Sequence, residues 1–211
     1  EEEEKGEDGD GESNDKNNKN KPKPPTDLNQ RDGPNPELNE EFNRQCGLSM
    51  PRARIHRGTT GEYVAVRRSP SPSVLHRQLS RLLEKGIRSV AVVLKHAAIY
   101  PDHEKLIGSL ALDLGFDHVS LSHEVSPVVK MVPRGFTAAA DAYLTPCVKR
   151  YLNQFAAGFD DGIRNGDVKV MFMQSDGGLS PADRFSGHRA VLSGPAGGYV
   201  GYARTTYWKE E

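Results

Sequence analysis

Apolar and polar positions in the middle of the chain recur with the periods of helices and strands. After Pro72 the apolar residues recur at helical spacing up to Gly86, which predicts a helix that ends at a glycine. The run SVAVVLKH, residues 89–96, is rich in β-branched residues, as is typical of a strand covered on both faces. A second helix is expected after Pro101 and a second strand over HVSLS, residues 118–122. This order predicts an α/β fold with a largely parallel sheet.

The flanking regions predict further elements. The sequence EYVAVRR, residues 62–68, favours a short strand, and the Ala-rich, amphipathic residues 136–159 predict a long helix. Pro146 lies within that helix and is expected to kink or divide it. The run VKVMFMQ, residues 168–174, predicts another buried strand that ends in the turn SDGG. The last segment, SGPAGGYVGYARTTY, predicts a glycine-rich loop that leads into a helix.

The beginning of the chain has a different composition. The first forty residues contain only two apolar side chains, Leu28 and Leu38. Such a segment cannot bury enough surface to offset a chain entropy of about 1–2 kcal/mol per residue. We therefore expect residues 1–53 to form a disordered acidic tail and linker, and residues 54–211 to form the α/β segment. A solvated tail is the simpler interpretation, and an acidic interaction arm is the alternative.

Charge and composition exclude several classes of protein. The net charge of −1 combines 13 acidic and 6 basic residues in positions 1–40 with 16 acidic and 22 basic residues in the rest. Such a balance does not favour a nucleic-acid-binding protein. No apolar window approaches 18 residues and the acidic start is unlike a signal peptide, so we expect no membrane span and a cytosolic protein. Two cysteines, Cys46 and Cys147, cannot build a disulfide scaffold, which agrees with a reducing compartment.

One candidate cofactor-binding segment follows the last predicted strand. Ser175, Asp176, Gly177 and Gly178 stand where α/β folds bind ligands, and glycines there let backbone N–H groups approach a phosphate. Asp176 is the candidate metal ligand and a candidate catalytic residue, because a carboxylate holds a metal ion or orients water. The alternative is a tight turn, since Asp-Gly is common in turns.

A second candidate cofactor-binding segment is SGPAGG. Its members Ser193, Gly194, Gly197 and Gly198 precede a predicted helix, where backbone donors and the helix N-terminus can meet a phosphate. The segment is neither a Walker A motif nor a GxGxxG motif. The alternative is close helix packing through small residues.

A third candidate group contains His96, His103 and Glu104. The histidines stand at a predicted strand end and on the following helix, where they could face one pocket, so His96, His103 and Glu104 are candidate metal ligands or acid–base groups. The alternative is two structural histidines with an acidic helix start.

Three long blocks resemble one family. They are RSVAVVLKHAAIYPDHEKLIGSLALDLGFDHVSLSHEVSP, MVPRGFTAAADAYLTPCVKRYLNQF and VMFMQSDGGLSPADRFSGHRAVLSGPAGGYVGYARTTY, and in this order they resemble the hydantoinase A/5-oxoprolinase family over residues 54–209. Within the last two blocks, the sequences MVPRGFTAAADAYLTP and FSGHRAVLSGPAGG are more similar to eukaryotic-type than to bacterial members of the family. The resemblance implies an ATP- and Mg²⁺-dependent hydrolase that opens 5-oxo-L-proline to L-glutamate in the cytosolic glutathione cycle, and it leaves open a related cyclic amide as the substrate. It also implies a partial actin/hexokinase-like ATPase fold.

Two family motifs do not occur in this chain. Family members carry a DxGGTFTD-like and a DMGGTSTD-like phosphate loop, and neither is present here. The absence of both loops therefore implies an internal fragment of the ATPase part that is inactive alone. The resemblance also implies that the fragment acts together with the remainder of the enzyme or with a B-type subunit, and that the complete enzyme is a homodimer. One alternative is an inactive truncated paralogue that serves as a binding or dimerisation module. Another is a hydantoinase-type subunit for a different cyclic amide.

Overall fold

The computed structural model describes residues 35–47, 54–159 and 168–207. The tail and linker predicted over residues 1–53 lie outside the described residues at positions 1–34 and 48–53. The elements follow one another as α1 (Pro36–Cys46), β1 (Arg54–Arg57), β2 (Tyr63–Val66), α2 (Pro72–Glu84), β3 (Ser89–Val92), α3 (Asp102–Asp113), β4 (His118–Leu121), α4 (Ser122–Val125), α5 (Met131–Ala157), β5 (Met171–Met173), β6 (Leu179–Pro181), a 3₁₀ turn (Ala182–Arg184), α6 (Gly187–Ala190), α7 (Ser193–Tyr202) and a π-helical turn (Ala203–Tyr207).

The middle of the chain confirms the mixed α/β prediction. Helix α2 is followed by Gly86 at φ +81°, a left-handed conformation that glycine adopts without strain. Strands β3 and β4 pair in parallel, with Ser89 opposite His118 and Val92 opposite Leu121. Strand β3 is shorter than predicted, because the chain turns after Leu94 and Ala97 N–H donates back to Leu94 C=O at 3.2 Å.

The sheet organisation differs from the prediction. The described strands form three two-stranded sheets, of which only β3–β4 is parallel, while β1–β2 and β5–β6 are antiparallel. A largely parallel sheet is therefore wrong for the described part of the chain. The reason lies in the connections, since so short a link as residues 174–178 only lets the next strand return antiparallel. The strand predicted over 168–174 is also less buried than expected, with Met171 exposed.

Helix α1 occupies part of the stretch predicted as tail and linker. The Asn35 side chain accepts the Leu38 N–H at 3.3 Å, and Gly47 closes the helix at φ 64°. Phe42 is 9% exposed and meets Tyr63 edge to face, with 5.7 Å between ring centroids. The tail prediction is therefore wrong for residues 36–46, because two caps and one buried aromatic ring order them. The chain division at residue 53 otherwise stays a prediction.

Helix α5 runs through Pro146 without a break, so the proline does not divide it. Proline has no N–H to donate to the carbonyl four residues earlier, which is that of Ala142. The hydroxyl of Ser89 on β3 donates to this carbonyl instead. A tertiary contact thus replaces the missing helical hydrogen bond.

The apolar core lies within residues 54–159, here called the α/β body. One cluster of buried side chains contains Leu79, Ala111 and Phe116, and a second contains Val92, Ile107 and Leu121. Helix α3 contributes to both clusters and so lies between them. Residues 168–207, here called the C-terminal unit, pack on α5 mainly through α6. None of the described helices is long and apolar enough to cross a membrane.

Candidate functional site

Glu104 lies at the carboxyl ends of β3 and β4 and accepts hydrogen bonds from the residues that follow both strands. Its side chain is fully buried, and one carboxylate oxygen accepts the Leu94 N–H at 2.7 Å and the Ser122 hydroxyl at 2.6 Å. The other oxygen accepts the N–H of His123 at 3.1 Å and lies 2.7 Å from His123 Nδ1. Burial raises the pKa of Glu104, but the hydrogen bonds from His123, Ser122 and Leu94 outweigh it and hold the pKa below its usual value.

Arg134 on α5 extends this network. The guanidinium is fully buried, and its Nε donates to the Ser122 hydroxyl at 2.8 Å. Since that hydroxyl donates in turn to Glu104, Ser122 links the buried cation to the buried anion. The remaining Arg134 N–H groups donate to the backbone carbonyls of Leu94, Lys95, Val128 and Val129. These side chains thus fill the space at the strand ends and hold in place the loop after β3 and the loop after α4.

Asp141 forms a second buried cluster in the middle of α5. Its Oδ2 accepts the Ser120 hydroxyl at 2.7 Å and lies 3.5 Å from His118 Nε2. Its Oδ1 accepts the Thr145 hydroxyl at 2.7 Å and lies 2.8 Å from His188 Nδ1. Burial raises the pKa of Asp141, but hydrogen bonds from His118, His188, Ser120 and Thr145 hold it well below its usual range.

The three side chains predicted to share a pocket take different partners. His96 is exposed in the turn after β3, and the His103 ring meets Tyr100 edge to face at 5.1 Å. Glu104 instead points to the strand ends and pairs with His123. Among the described residues, no group of three or more His, Cys, Asp or Glu side chains could hold a metal ion. The acid–base and metal-ligand roles of these residues stay predictions.

The Ser175–Gly178 segment forms the closed turn between β5 and β6. Gln174 N–H donates to Gly178 C=O at 2.8 Å, and Gly177 has φ +82°. Asp176 Oδ1 accepts the Gly178 N–H at 2.9 Å. Ser175 N–H also donates to Arg189 C=O at 2.8 Å, and Gly177 N–H donates to Gln174 C=O at 3.0 Å. With the Gly178 N–H, three of the four backbone donors of the segment are therefore already used. This geometry is that of the tight-turn alternative.

The Ser193–Gly198 segment is itself helical. Helix α7 begins at Ser193, so these residues form its first turns and the predicted loop before a helix is wrong. The glycines of this segment disfavour a helix, but Pro195 lies in the first turn, where proline is tolerated, so it does not interrupt α7. A Cβ added at Gly194 or Gly198 would meet nothing within 4 Å. Packing within the described residues therefore does not require glycine at either position.

The structure does bring the two glycine-containing segments together. The Leu192 N–H, just before α7, donates to the Ser175 hydroxyl at 3.0 Å. A Cβ at Gly177 would lie 3.4 Å from Val200, and one at Gly197 would lie 3.6 Å from Met173. The candidate cofactor-binding residues therefore form one contiguous surface of the C-terminal unit.

Sequence reasoning missed the residues with the densest networks of contacts. Asp141 and Arg134 were not singled out, although each is a charged residue within a largely apolar, Ala-rich helix. Such a charge on a helix that must be buried is a usable signal for a paired, structural group. No comparable signal marked His188, because its partner lies 47 positions away.

Comparisons with known proteins agree with this architecture. The family described as "Hydantoinase/oxoprolinase N-terminal region" matches residues 25–115, and "Hydantoinase/oxoprolinase" matches residues 134–211. The chain belongs to the hydantoinase/oxoprolinase family. The first match extends the family similarity into the stretch predicted as tail.

Several curated relatives are similar to the chain. The 5-oxoprolinase 1 of Arabidopsis thaliana is 53% identical over 154 residues, which are 73% of this chain and 12% of that protein. The 5-oxoprolinase of Dictyostelium discoideum is 46% identical over 168 residues, 80% of this chain and 13% of that protein. The caprolactamase subunit alpha of Pseudomonas jessenii is 28% identical over 127 residues, 59% of this chain and 18% of that subunit. The chain thus spans only 12–13% of the length of the two 5-oxoprolinases.

Solved structures share the fold. A nucleotide-free acetone carboxylase aligns with a TM-score of 0.56 at 19% identity, over 72% of this chain and 21% of that one. The ATP-dependent caprolactamase of Pseudomonas jessenii aligns with a TM-score of 0.54 at 23% identity, over 72% of this chain and 22% of that one.

Proposed function

We propose that this chain is a segment of an ATP-dependent cyclic-amide hydrolase that converts 5-oxo-L-proline to L-glutamate. The observation that carries the proposal is the 53% identity to the Arabidopsis thaliana 5-oxoprolinase 1, with 46% identity to the enzymes of Dictyostelium discoideum and Saccharomyces cerevisiae. As a member of a eukaryotic-type enzyme, the chain would serve the glutathione cycle of the cytosol. It would act within a larger, homodimeric enzyme or beside a B-type subunit, and as part of an actin/hexokinase-like ATPase.

ATP would activate the amide by phosphorylating its oxygen, which makes the ring carbon a better target for water. Of the two candidate segments, the start of α7 fits a phosphate, because the first N–H groups of a helix lack intrahelical partners and Gly194 leaves open space beside them. The Ser175–Gly178 turn does not fit, since its donors are largely used within the turn and by Arg189.

Asp176 is the one carboxylate that the two glycine-containing segments offer to a Mg²⁺ ion. Asp176 is exposed, and within the described part of the chain its Oδ1 accepts the Gly178 N–H while its Oδ2 accepts no hydrogen bond. Magnesium in nucleotide sites takes one or two carboxylates together with phosphate oxygens and water. Asp176 therefore fits a single ligand position, with the other ligands coming from outside the described residues.

The two buried carboxylates serve this function as anchors rather than as acid–base groups. Glu104 and Asp141 are enclosed by hydrogen-bond donors, and each has a pKa held below its usual value. A general acid or base needs a pKa near the working pH and access to the proton that it transfers. The oxygens of both carboxylates are already bound by buried donors, which limits that access, so we assign them an anchoring role; the predicted acid–base role of Glu104 stays the alternative.

The proposal is tested by exchanging segments between enzymes. The 154 matched residues of the Arabidopsis thaliana 5-oxoprolinase 1 are replaced by the corresponding residues of this chain, and 5-oxoproline-dependent release of ADP is measured. We expect activity within about tenfold of the parent, a barrier change below about 1.4 kcal/mol. The control is the parent segment reinserted through the same junctions. An active control beside an inactive exchange contradicts the proposal and favours the inactive paralogue.

The similarity to a caprolactamase subunit supports a second candidate, a hydantoinase-type subunit for another cyclic amide. The same exchanged enzyme is therefore offered hydantoin and caprolactam together with 5-oxoproline. ADP release that depends on either of the first two, and not on 5-oxoproline, selects this second candidate.

A further inference from the structure

We propose that Asp141 is a positioning residue that docks the C-terminal unit on the α/β body and thereby sets where the two glycine-containing segments lie. The nucleotide role of those segments rests on the proposed function, whereas the docking stands by itself. An aspartate inside a helix is a weak helix former, and a buried carboxylate is costly unless hydrogen bonds satisfy it. Asp141 lies inside α5 and is 4% exposed, so its partners decide whether it is tolerated.

Those partners come from both parts of the molecule. Asp141 Oδ1 accepts the backbone N–H of His188 at 3.3 Å and lies 2.8 Å from His188 Nδ1. The Thr145 hydroxyl donates to the same oxygen and accepts the Gly187 N–H at 2.8 Å. A Cβ on Gly187 would lie 2.5 Å from Leu144 Cβ and from Thr145 N. The start of α6 therefore rests directly on α5, with no room for a side chain between them.

A continuous path of hydrogen bonds leads from α6 to both glycine-containing segments. The carbonyl of Arg189 accepts two hydrogen bonds from Ser175, one from its backbone N–H at 2.8 Å and one from its side-chain hydroxyl at 2.7 Å. The same hydroxyl accepts the Leu192 N–H at the start of α7, and Arg189 Nη1 donates to Gln174 Oε1 at 3.0 Å. Hydrogen bonds thus join the hairpin turn and the first turn of α7 to α6, and α6 to Asp141. The hairpin has a further contact with α5, between Phe172 and Phe155, and Phe172 lies on β5 and not in the turn.

The test measures backbone hydrogen exchange of the 211-residue chain by mass spectrometry, without nucleotide. The variant His188→Leu removes the ring donor and keeps Asp141 with its Ser120 and Thr145 partners, so the α/β body remains folded. We expect exchange of the Ser175 and Leu192 amides to rise at least tenfold, while the β3 and β4 amides keep their wild-type rates.

Two further variants separate docking from general damage. His188→Asn places an amide N–H near the position of Nδ1, so it should restore most of the protection. Asp183→Asn is the matched control in the same unit, because the Asp183 side chain is 77% exposed, and it should change nothing. Unchanged exchange in His188→Leu, or a rise that includes β3 and β4 equally, overturns the proposal.

The readout in the segment-exchanged enzyme distinguishes this proposal from the proposed function. If the docked segments meet ATP, His188→Leu should raise the KM for ATP severalfold more than it lowers kcat, and His188→Asn should reverse this. An exchanged enzyme that is inactive with the unaltered segment overturns the proposed function, while the exchange rates of the isolated chain still decide the docking.

Discussion

The α/β body and the C-terminal unit are held by different interactions. The body buries two apolar clusters around α3, whereas Phe185 is the buried hydrophobic side chain of the C-terminal unit among the described residues. The unit leaves Tyr199 76% exposed, and its contact with α5 combines hydrogen bonds to Asp141 and Thr145 with one edge-to-face contact between Phe155 and Phe172. The stability of the body should therefore follow apolar volume, and that of the unit should depend on a few polar contacts together with this aromatic contact.

The largest effect is expected from the core of the body. Phe116→Ala should lower the free energy of unfolding by about 3–5 kcal/mol, because it leaves a cavity between α2, α3 and β4. Urea unfolding followed by circular dichroism measures the loss. Phe136→Ala is the control, since Phe136 is 74% exposed and should cost less than about 0.5 kcal/mol. Similar losses for the two variants would mean that the apolar cluster does not dominate the body.

The buried network of the body should come next. Glu104→Gln replaces a carboxylate that meets four donors with an amide that has one acceptor oxygen, which should cost about 2–3 kcal/mol. The exposed Glu84, at the end of α2, provides the control Glu84→Gln. Both variants are compared by urea unfolding, and equal midpoints would refute the anchoring role of Glu104.

Gly187→Ala should loosen the unit and spare the body. The added methyl group would meet backbone and side chain of α5 at 2.5 Å, an overpacking that costs about 1–3 kcal/mol. Limited proteolysis should then cleave within residues 174–192 first. Gly201→Ala is the opposite control, because its Cβ meets nothing within 4 Å and alanine should stabilise α7 by up to about 1 kcal/mol. Resistance of Gly187→Ala to proteolysis would show that the close approach is not needed.

The smallest effect near neutral pH concerns protonation. Because the pKa of Asp141 is lowered on folding, the unfolded chain binds the proton at a higher pH than the folded protein does. The stabilisation is therefore complete well above 3.8, the value of an ordinary aspartate, and is lost progressively as the pH falls below it. Urea midpoints should change little between pH 7 and pH 5 and fall below about pH 4. Asp141→Asn should flatten that acid limb, and parallel curves for the two proteins would contradict this account.

The local pattern predicted much of the body and less of the unit. The helices after Pro72 and Pro101 and the strands at 89 and 118 followed from residue period and glycine position. The run over residues 168–174 predicts one strand and the turn after it but not the second strand of the hairpin, because a short apolar run does not reveal its pairing partner. The sequence does not predict helix α1, because the helix is held by the contact of Phe42 with Tyr63, and amino-acid composition does not show which distant residues come into contact.

The sequence by itself determined helices α2, α3 and α5 and strands β2, β3 and β4 of the body, the proximity of glycines to turns, and the family, because these depend on neighbouring residues and on blocks of matching sequence. Only the tertiary structure decided the partners of the charged side chains. Glu104 turns away from His96 and His103 and meets His123, and Asp141 reaches His188 far along the chain. Such pairings follow from which helix faces are buried together, and local periodicity carries no information about them.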